Sequence, residues 1–569
     1  MNAAPFFSPP AVRRCVFAAL AFLVLAPVPG AFAADEVLRL TGGPAQRRAD
    51  GVYRGIPYAA PPVGERRWKP PAPPVSWTDP REFDAYGPVC PQPTADGDPM
   101  SEDCLTLNVT APAEASPAGS GNGLPVMVFF HGGSFIGGAG SLSLYEGENL
   151  VDRGVILVTV NYRLGPLGYL AHPLLSAESP DGVSGNYGLL DQIAALTWVR
   201  DNIAAFGGDP AKVTIFGQSA GAESVCLLLV SPLARGLFRA AIAESPVMTG
   251  SLRPLRTSFL DKALALGPRV RSAEELGLAL AEALGADKAP DVLAAMRAAS
   301  YEELIKSGSG LWRDYGLAVA GLVYGPAVDG VAIPDHPVRL MRGGAWNAVP
   351  VMTGTTADES AIFLPGLDPS LATPEGLAAY AAASFGPEAG ARLLSVLDAG
   401  PGDAKSRLVR LLNASWFGAW DVFFADEAAK AGQPVHVYRF ARPLPQGALD
   451  VLTDEADADS LDAGILGVPH SAELFSVFGF TSFLLGFDGE DEAVSRDMAG
   501  YWTSFAKTGD PNDSGTPGAP GEAKPAFWPL LTPGEKARVL SIGETIAGTP
   551  RAVDPLVPLI QATWLDTTY

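Results

Sequence analysis

The chain has 569 residues, 47% of them hydrophobic and 18% charged, which supplies enough apolar material for a large core and sets it apart from disordered sequences. Its 62 acidic residues against 40 basic ones give a formal net charge of −22. That balance argues against a nucleic-acid partner, because phosphate binding needs clustered Lys and Arg.

At the N-terminus, Arg13 and Arg14 precede an apolar run from Cys15 to Ala26, and Ala31-Phe32-Ala33 puts small residues where a signal peptidase inspects the chain. Residues 1–33 are therefore expected to be a secretory signal, cleaved after Ala33, leaving a periplasmic or secreted protein. The apolar run is short and broken by Pro27 and Pro29, so no stable membrane anchor is expected after cleavage. Of the four cysteines, Cys15 leaves with the signal. Cys90 and Cys104 flank a short polar loop and form the one plausible disulfide in an oxidising compartment. Cys226 lies in the apolar run Val225–Leu229 and reads as a buried, inert thiol. Neither a CxxC pair nor an HExxH helix is present, so a metal site has no support.

Residues 126–130 and 155–160 are short apolar runs rich in β-branched and aromatic side chains, as expected of strands buried on both faces. A helix is expected over 190–204, a strand over 213–216 and a helix over about 220–230. Strand alternating with helix implies an α/β fold built on a mostly parallel, doubly wound sheet. Residues 274–284 and 289–298 have helical spacing, and strand signals return at 349–353 and 435–440. Residues 34–569 are accordingly expected to be one α/β domain with helical insertions near 258–345 and 370–431. The tract 111–123 is low in complexity and reads as a surface loop.

The segment Val213-Thr214-Ile215-Phe216-Gly217-Gln218-Ser219-Ala220-Gly221 is G-x-S-x-G between an expected strand and an expected helix, the context a nucleophile elbow requires. Bulky side chains at Gly217 or Gly221 would collide with neighbouring backbone, and the helix N-terminus favours negative charge near Ser219. The stretch 206–221 (FGGDPAKVTIFGQSAG) resembles the signature of the type-B carboxylesterase and cholinesterase family, and so does Glu102-Asp103-Cys104-Leu105-Thr106-Leu107-Asn108. Further matching text occurs at 55–64, 161–173, 185–196 and 501–512, so the resemblance spans nearly the whole mature chain. It implies the α/β-hydrolase fold and hydrolysis of a small-molecule carboxylic ester through an acyl-enzyme, with no cofactor.

In that fold one oxyanion donor is the residue after the nucleophile, here Ala220, and others come from a glycine-rich loop after an early strand. The loop candidate is His131-Gly132-Gly133-Ser134-Phe135, in which the resemblance points to the N–H groups of Gly133 and Ser134. His131 reads as packing or positioning. Chain order in the fold is Ser, then Asp or Glu, then His. That leaves His336, His436 and His470 as bases, while His131 and His172 come too early. His436 falls within the strand 435–440 and reads as a satisfied sheet residue. The segment Pro469-His470-Ser471-Ala472-Glu473-Leu474 resembles the family's catalytic-histidine motif, with Ser471 where the family usually has Gly. Asp358 and Glu359, just after the strand 349–353, are both chemically capable acids. The family's DEG motif favours Glu359, here with Ser360 in place of Gly, and Asp329 resembles a non-catalytic segment.

The resemblance also implies structural ion pairs of Arg67 with Glu102 and Arg163 with Asp191, and a buried polar network of Glu473 and Ser245 behind His470. True cholinesterases bear a tryptophan in the first disulfide loop and Glu before the nucleophile. Residues 91–103 contain no aromatic side chain, and Gln218 precedes Ser219. Both departures argue against choline esters and for a bacterial-type carboxylesterase, and the short loop should leave an open gorge suited to a broad range of alkyl or aryl esters. Phe135, Met248 and Leu252 are candidate pocket walls. The rival readings are a hydrolase specific for a large natural-product ester, a lactone or an amide, and a non-catalytic binding module on the same fold.

Overall fold

The computed structural model describes residues 37–93, 97–115, 123–247, 252–256, 272–315, 324–453, 466–513, 525–532 and 537–564. The expected signal segment and Met248 lie outside these residues, as does most of the tract 111–123.

Ten strands form one large sheet. In chain order they are β1 (Val52–Pro57), β2 (Thr106–Thr110), β3 (Leu124–Phe130), β4 (Ile156–Val160), β5 (Gly208–Gln218), β6 (Ala240–Glu244), β7 (Val351–Thr356), β8 (Val435–Phe440), β9 (Arg538–Ile542) and β10 (Ile546–Pro550). Across the sheet the order is β10-β9-β8-β7-β6-β5-β3-β4-β2-β1. Pairing is parallel from β4 through β9, and the strands at both margins pair antiparallel.

Alternation along the strands buries both faces. Val126, Val128 and Phe130 of β3 join one apolar cluster, while Met127 and Phe129 join another on the opposite face. Phe129 packs against Phe216, Tyr145 and Phe478 with ring centroids 4.7–4.9 Å apart. Deleting such a ring costs about 3–5 kcal/mol.

Helices cover the faces. Tyr187–Asn202 begins three residues before the expected start, and Ala220–Val230 follows the expected turn. Helices Ala273–Ala283 and Val292–Ala298 precede β7, and Pro374–Phe385, Pro387–Asp398, Ala404–Leu412 and Ala419–Lys430 precede β8. The last group packs around its own apolar cluster centred on Leu393, Leu411 and Phe417.

Cys90 and Cys104 are disulfide-bonded, with Cα atoms 5.1 Å apart, and Cys226 is a buried free thiol. Closing a loop of this length stabilises a fold by about 3 kcal/mol in the chain-entropy account. Both implied ion pairs form: Arg67 Nε donates to Glu102 at 2.7 Å, and Arg163 grips Asp191 through Nε at 2.8 Å and Nη2 at 2.7 Å. Among the described residues no helix is long and apolar enough to cross a membrane.

Candidate active site

The chain runs from β3 to β4 on one side of the sheet, then returns to place β5 on the other side of β3. At such a switch point the loops leaving adjacent carboxyl ends diverge and open a crevice. Phe130 stands opposite Gly217 in the β3–β5 register, so the loop His131–Phe135 and the turn at Ser219 emerge side by side. Ser219 has φ 57° and ψ −121°, outside the ordinary regions for an L-residue. Strain of this kind costs on the order of 1–3 kcal/mol and persists only where the surroundings over-determine it. Here they do: a Cβ on Gly221 would lie 1.9 Å from the Phe130 carbonyl oxygen, and one on Gly217 would lie 2.6 Å from the Gly221 carbonyl. Ser219 N–H donates to Glu244 O at 2.9 Å, and its carbonyl accepts the first helical bond from Glu223 at 2.8 Å.

The neighbouring loop has left-handed backbone at three consecutive positions, with φ 104° at Gly133, 56° at Ser134 and 60° at Phe135. Among the hydrogen bonds of the described residues, the N–H groups of Gly133, Ser134 and Ala220 donate to no other group of the chain. His131 stacks on Tyr162 with centroids 4.3 Å apart, and Tyr162 Oη donates to the His131 carbonyl at 2.6 Å. Burial pushes the His131 imidazole down to about 4, so it stays neutral and braces the loop. Phe135 is fully buried, edge-on to Tyr169, and Leu252 is buried in the core.

His470 and Glu359 come together from two loops. His470 Nδ1 lies 2.5 Å from Glu359 Oε2, and the other carboxylate oxygen, Oε1, accepts from Thr356 N–H at 2.7 Å. Asp358 turns the opposite way and accepts from Val468 N–H at 3.0 Å. Asp358 N–H donates to Val468 O at 3.0 Å and His470 N–H to Glu359 O at 3.3 Å, so the two loops are stitched by backbone as well as side chain. Ser471 holds φ 73°, the conformation that suits the usual Gly, whereas Ser360 at φ −89° needs none and uses its hydroxyl to bond Val409 O at 2.9 Å.

Behind the pair, Ser245 Oγ donates to Glu473 Oε1 at 3.3 Å, and Trp502 donates to Glu244 at 2.6 Å. Burial raises Glu244 to about 8. Burial, with Glu359 and Glu244 nearby, holds Glu473 well above the carboxylate range. The other candidates are placed elsewhere. His336 and His172 cap short helices, and Asp329 accepts from Asn186 and from Val331 and Ile333 N–H groups in its own turn. His436 departs from its reading as a satisfied sheet residue. Neither ring nitrogen has a hydrogen-bond partner, because the ring is packed among Phe505 and Trp528, and burial pushes it down to about 4.

Three features were not read from the sequence. The Gln218 amide nitrogen lies 3.0 Å from His470 Nε2, and no hydrogen bond joins that nitrogen to Ser219 Oγ. The Phe417 and Phe363 rings flank His470 at 4.8 and 5.4 Å, and Phe417 stands on a π-helical turn, Asn413–Gly418. Turns of this type occur frequently at functional sites. A cavity of about 770 Å³ borders Glu359, lined by Thr356, Arg410, Tyr438, Arg439 and Arg551 among others, but neither Ser219 nor His470 reaches it. Gln218 was visible beside the motif, while nothing in the sequence marked Phe417.

Residues 43–553 match the Carboxylesterase family. The chain is 36% identical to fumonisin B1 esterase of Sphingopyxis macrogoltabida over 517 residues, covering 89% of this chain and 85% of the relative. It is 41% identical to para-nitrobenzyl esterase of Bacillus subtilis (strain 168) over 319 residues, 55% of this chain and 60% of the relative. A solved PNB esterase superposes with TM-score 0.73 at 31% identity, covering 92% of this chain and 99% of the other. An α/β-hydrolase sheet with a G-x-S-x-G turn at its switch point, matched over nearly its whole length, identifies the chain as a member of the carboxylesterase family and a serine hydrolase of carboxylic esters.

Proposed function

We propose that Ser219, His470 and Glu359 are the nucleophile, general base and orienting acid of two-step acyl transfer, with Gly133, Ser134 and Ala220 as oxyanion donors. The observation that carries this reading is the His470–Glu359 pair, whose other ring nitrogen, Nε2, lies 3.0 Å from the amide of Gln218, the residue before Ser219. Ser219 Oγ attacks the ester carbonyl while its proton passes to His470 Nε2. Glu359 holds the imidazole with its other proton on Nδ1 and stabilises the imidazolium. The negative carbonyl oxygen meets the N–H groups of the strained loop and the helix start, a contribution of about 3–4 kcal/mol for each donor as judged by removal. His470 returns its proton to the departing alcohol, then activates the water that releases the acid.

The test is hydrolysis of p-nitrophenyl butyrate by residues 34–569 and by Ser219→Ala. The variant is expected to fold normally and to lose about 10⁶-fold in kcat. A folded Ser219→Ala with undiminished turnover would sink the assignment. A breadth over alkyl and aryl esters follows from the short first disulfide loop. The relative named fumonisin B1 esterase favours a second reading, a preference for a large natural-product ester, which a panel containing both p-nitrophenyl butyrate and fumonisin B1 separates. Export after cleavage at Ala33 is supported by the Cys90–Cys104 disulfide, since such bonds persist in oxidising compartments. N-terminal sequencing of the exported protein should begin at Ala34.

A further inference from the structure

The basic nitrogen of His470 is already engaged. Gln218 Nε2, 3.0 Å away, belongs to an NH₂ group that can only donate, so His470 Nε2 must offer its lone pair and carry no proton. The ring proton then sits on Nδ1, where Glu359 Oε2 accepts it. This is the tautomer a general base needs. The amide has a fitted seat: a Cβ on Gly132 would come within 2.8 Å of Gln218 Oε1 and 3.1 Å of Ser219 Cβ, so the bare Gly132 backbone makes room for both side chains. Gln218 ends β5 opposite Glu244, which leaves its backbone no freedom to withdraw. An imidazole nitrogen has one in-plane lone pair, and Ser219 Oγ needs the same lone pair that Gln218 now occupies.

We propose that Gln218 is a positioning residue for His470: its amide caps Nε2 in the resting enzyme, fixes the tautomer and ring angle, and yields to Ser219 Oγ when an acyl group arrives. This rests on the triad proposed above.

The charges around His470 make the cap's neutrality matter. Glu359 faces Nδ1 from the loop after β7, and Glu473 follows on the histidine's own segment. Glu244 comes from β6, and Asp421, on the helix after the π-helical turn, pairs with Arg551. The π-helical turn itself and the segment after Glu359 contribute only the Phe417 and Phe363 rings, and His131 across the loop is held neutral by burial. Nε2 is thus met by an uncharged donor in a neighbourhood rich in carboxyl groups. A carboxylate in its place would accept from the imidazolium and favour it, whereas a side chain unable to bond would remove the donor that favours the neutral base.

The test uses diisopropyl fluorophosphate on residues 34–569. Ser219 Oγ bonds to phosphorus, fluoride leaves with the P–F electrons, and the serine proton passes to His470. The readout is the second-order inactivation rate against pH for wild type, Gln218→Met and Gln218→Glu, with the labelled peptide identified by mass and each variant's Tm recorded. The midpoint of the acid limb should move up by about 1 pH unit or more in Gln218→Glu and by roughly half a unit in Gln218→Met. A purely structural role would lower the plateau and leave the midpoint in place, and that result overturns the proposal while the triad stands. Labelling at a residue other than Ser219 overturns the triad, and the proposal with it.

Discussion

The two halves of the site are held by different physics. On the Ser219 side the backbone is fixed by steric exclusion: Ser219, Gly133, Ser134 and Phe135 all have positive φ, and Gly217 and Gly221 let three backbone segments meet where no side chain fits. On the His470–Glu359 side the fixing is by hydrogen bonds: Asp358 to Val468 twice and His470 N–H to Glu359 O between the two loops, and Thr356 N–H to the Glu359 carboxylate within one of them. A steric constraint has almost no graded failure, because an intruding atom must move the sheet. A hydrogen-bonded clasp can lose one bond and keep its shape. Substitutions on the two sides should therefore fail in different ways.

The largest effect is expected from Gly221→Ala. Its Cβ would meet the Phe130 carbonyl oxygen at 1.9 Å, with backbone on both sides of the contact. Overpacking without room to relax should cost more than about 3 kcal/mol and abolish activity together with the cooperative transition in urea. A folded, active Gly221→Ala would break the claim that this half is sterically fixed.

The adjacent carboxylates Glu359 and Asp358 sharpen the comparison on the other side. Glu359→Gln should leave Tm nearly unchanged and lower kcat by about 10⁴-fold, because an amide can hold the wrong tautomer. Asp358→Ala removes a clasp bond and leaves the buried Val468 N–H without its acceptor, which should cost about 1–3 kcal/mol while kcat falls less than about tenfold. Equal rate losses in the two would mean that the clasp and the acid are not separable.

The buried carboxyl groups give a stability profile with a definite sign. Burial pushes the Glu244 carboxyl up to about 8 in the folded chain, against the ordinary carboxylate range when unfolded, and raises Glu473 as well. Between those values the folded chain holds more protons than the unfolded one, so stability falls as pH rises. His131 and His436, pushed down to about 4, act oppositely, adding stability as pH rises toward 6.5. Above pH 6.5 the carboxyl effect stands alone. Tm should decline from there to about pH 8, and Glu244→Gln should flatten the decline. An unchanged slope in that variant would assign the decline to other groups.

The smallest effect is expected at Ser471, which holds φ 73° inside the clasp. Ser471→Gly should relieve left-handed backbone strain and raise stability by about 1 kcal/mol or less, with the pH–rate profile unmoved. A loss of stability would mean that the serine hydroxyl, not the backbone, matters at that position.

What the sequence made legible follows the same division. The turn at Ser219 could be read because its constraints are residue types: two glycines flank the serine between an apolar strand and a helix. Glu359 and His470 could be placed by resemblance, but Asp358 and Glu359 were equally good on chemistry, and only the turn of the backbone sends one toward His470 and the other toward Val468. The central strand β6 was missed because Ala240-Ala241-Ile242-Ala243-Glu244 carries helix-favouring alanines. Small side chains suit it there, fully buried between β5 and β7, and tertiary packing overrides propensity. The Gln218–His470 contact and the Phe417 ring depend on distances between segments about 250 and 50 residues apart, which no local pattern encodes.

The clasp also bears on what the chain between its two halves is free to become. The path from Ser360 to Leu466 leaves at Glu359 and returns at Val468, and the two ends are joined by three hydrogen bonds made by backbone groups and by the His470–Glu359 side-chain pair. The spacing of Glu359 and His470 is therefore fixed apart from the helices of that stretch, which contribute Phe417 and an apolar cluster of their own, while its strand β8 belongs to the sheet and pairs with β7. Such an excursion can lengthen, shorten or exchange its outer helices while its two ends stay moored. The chemistry of the pair and the architecture over it are, in that sense, separately adjustable parts of one polypeptide.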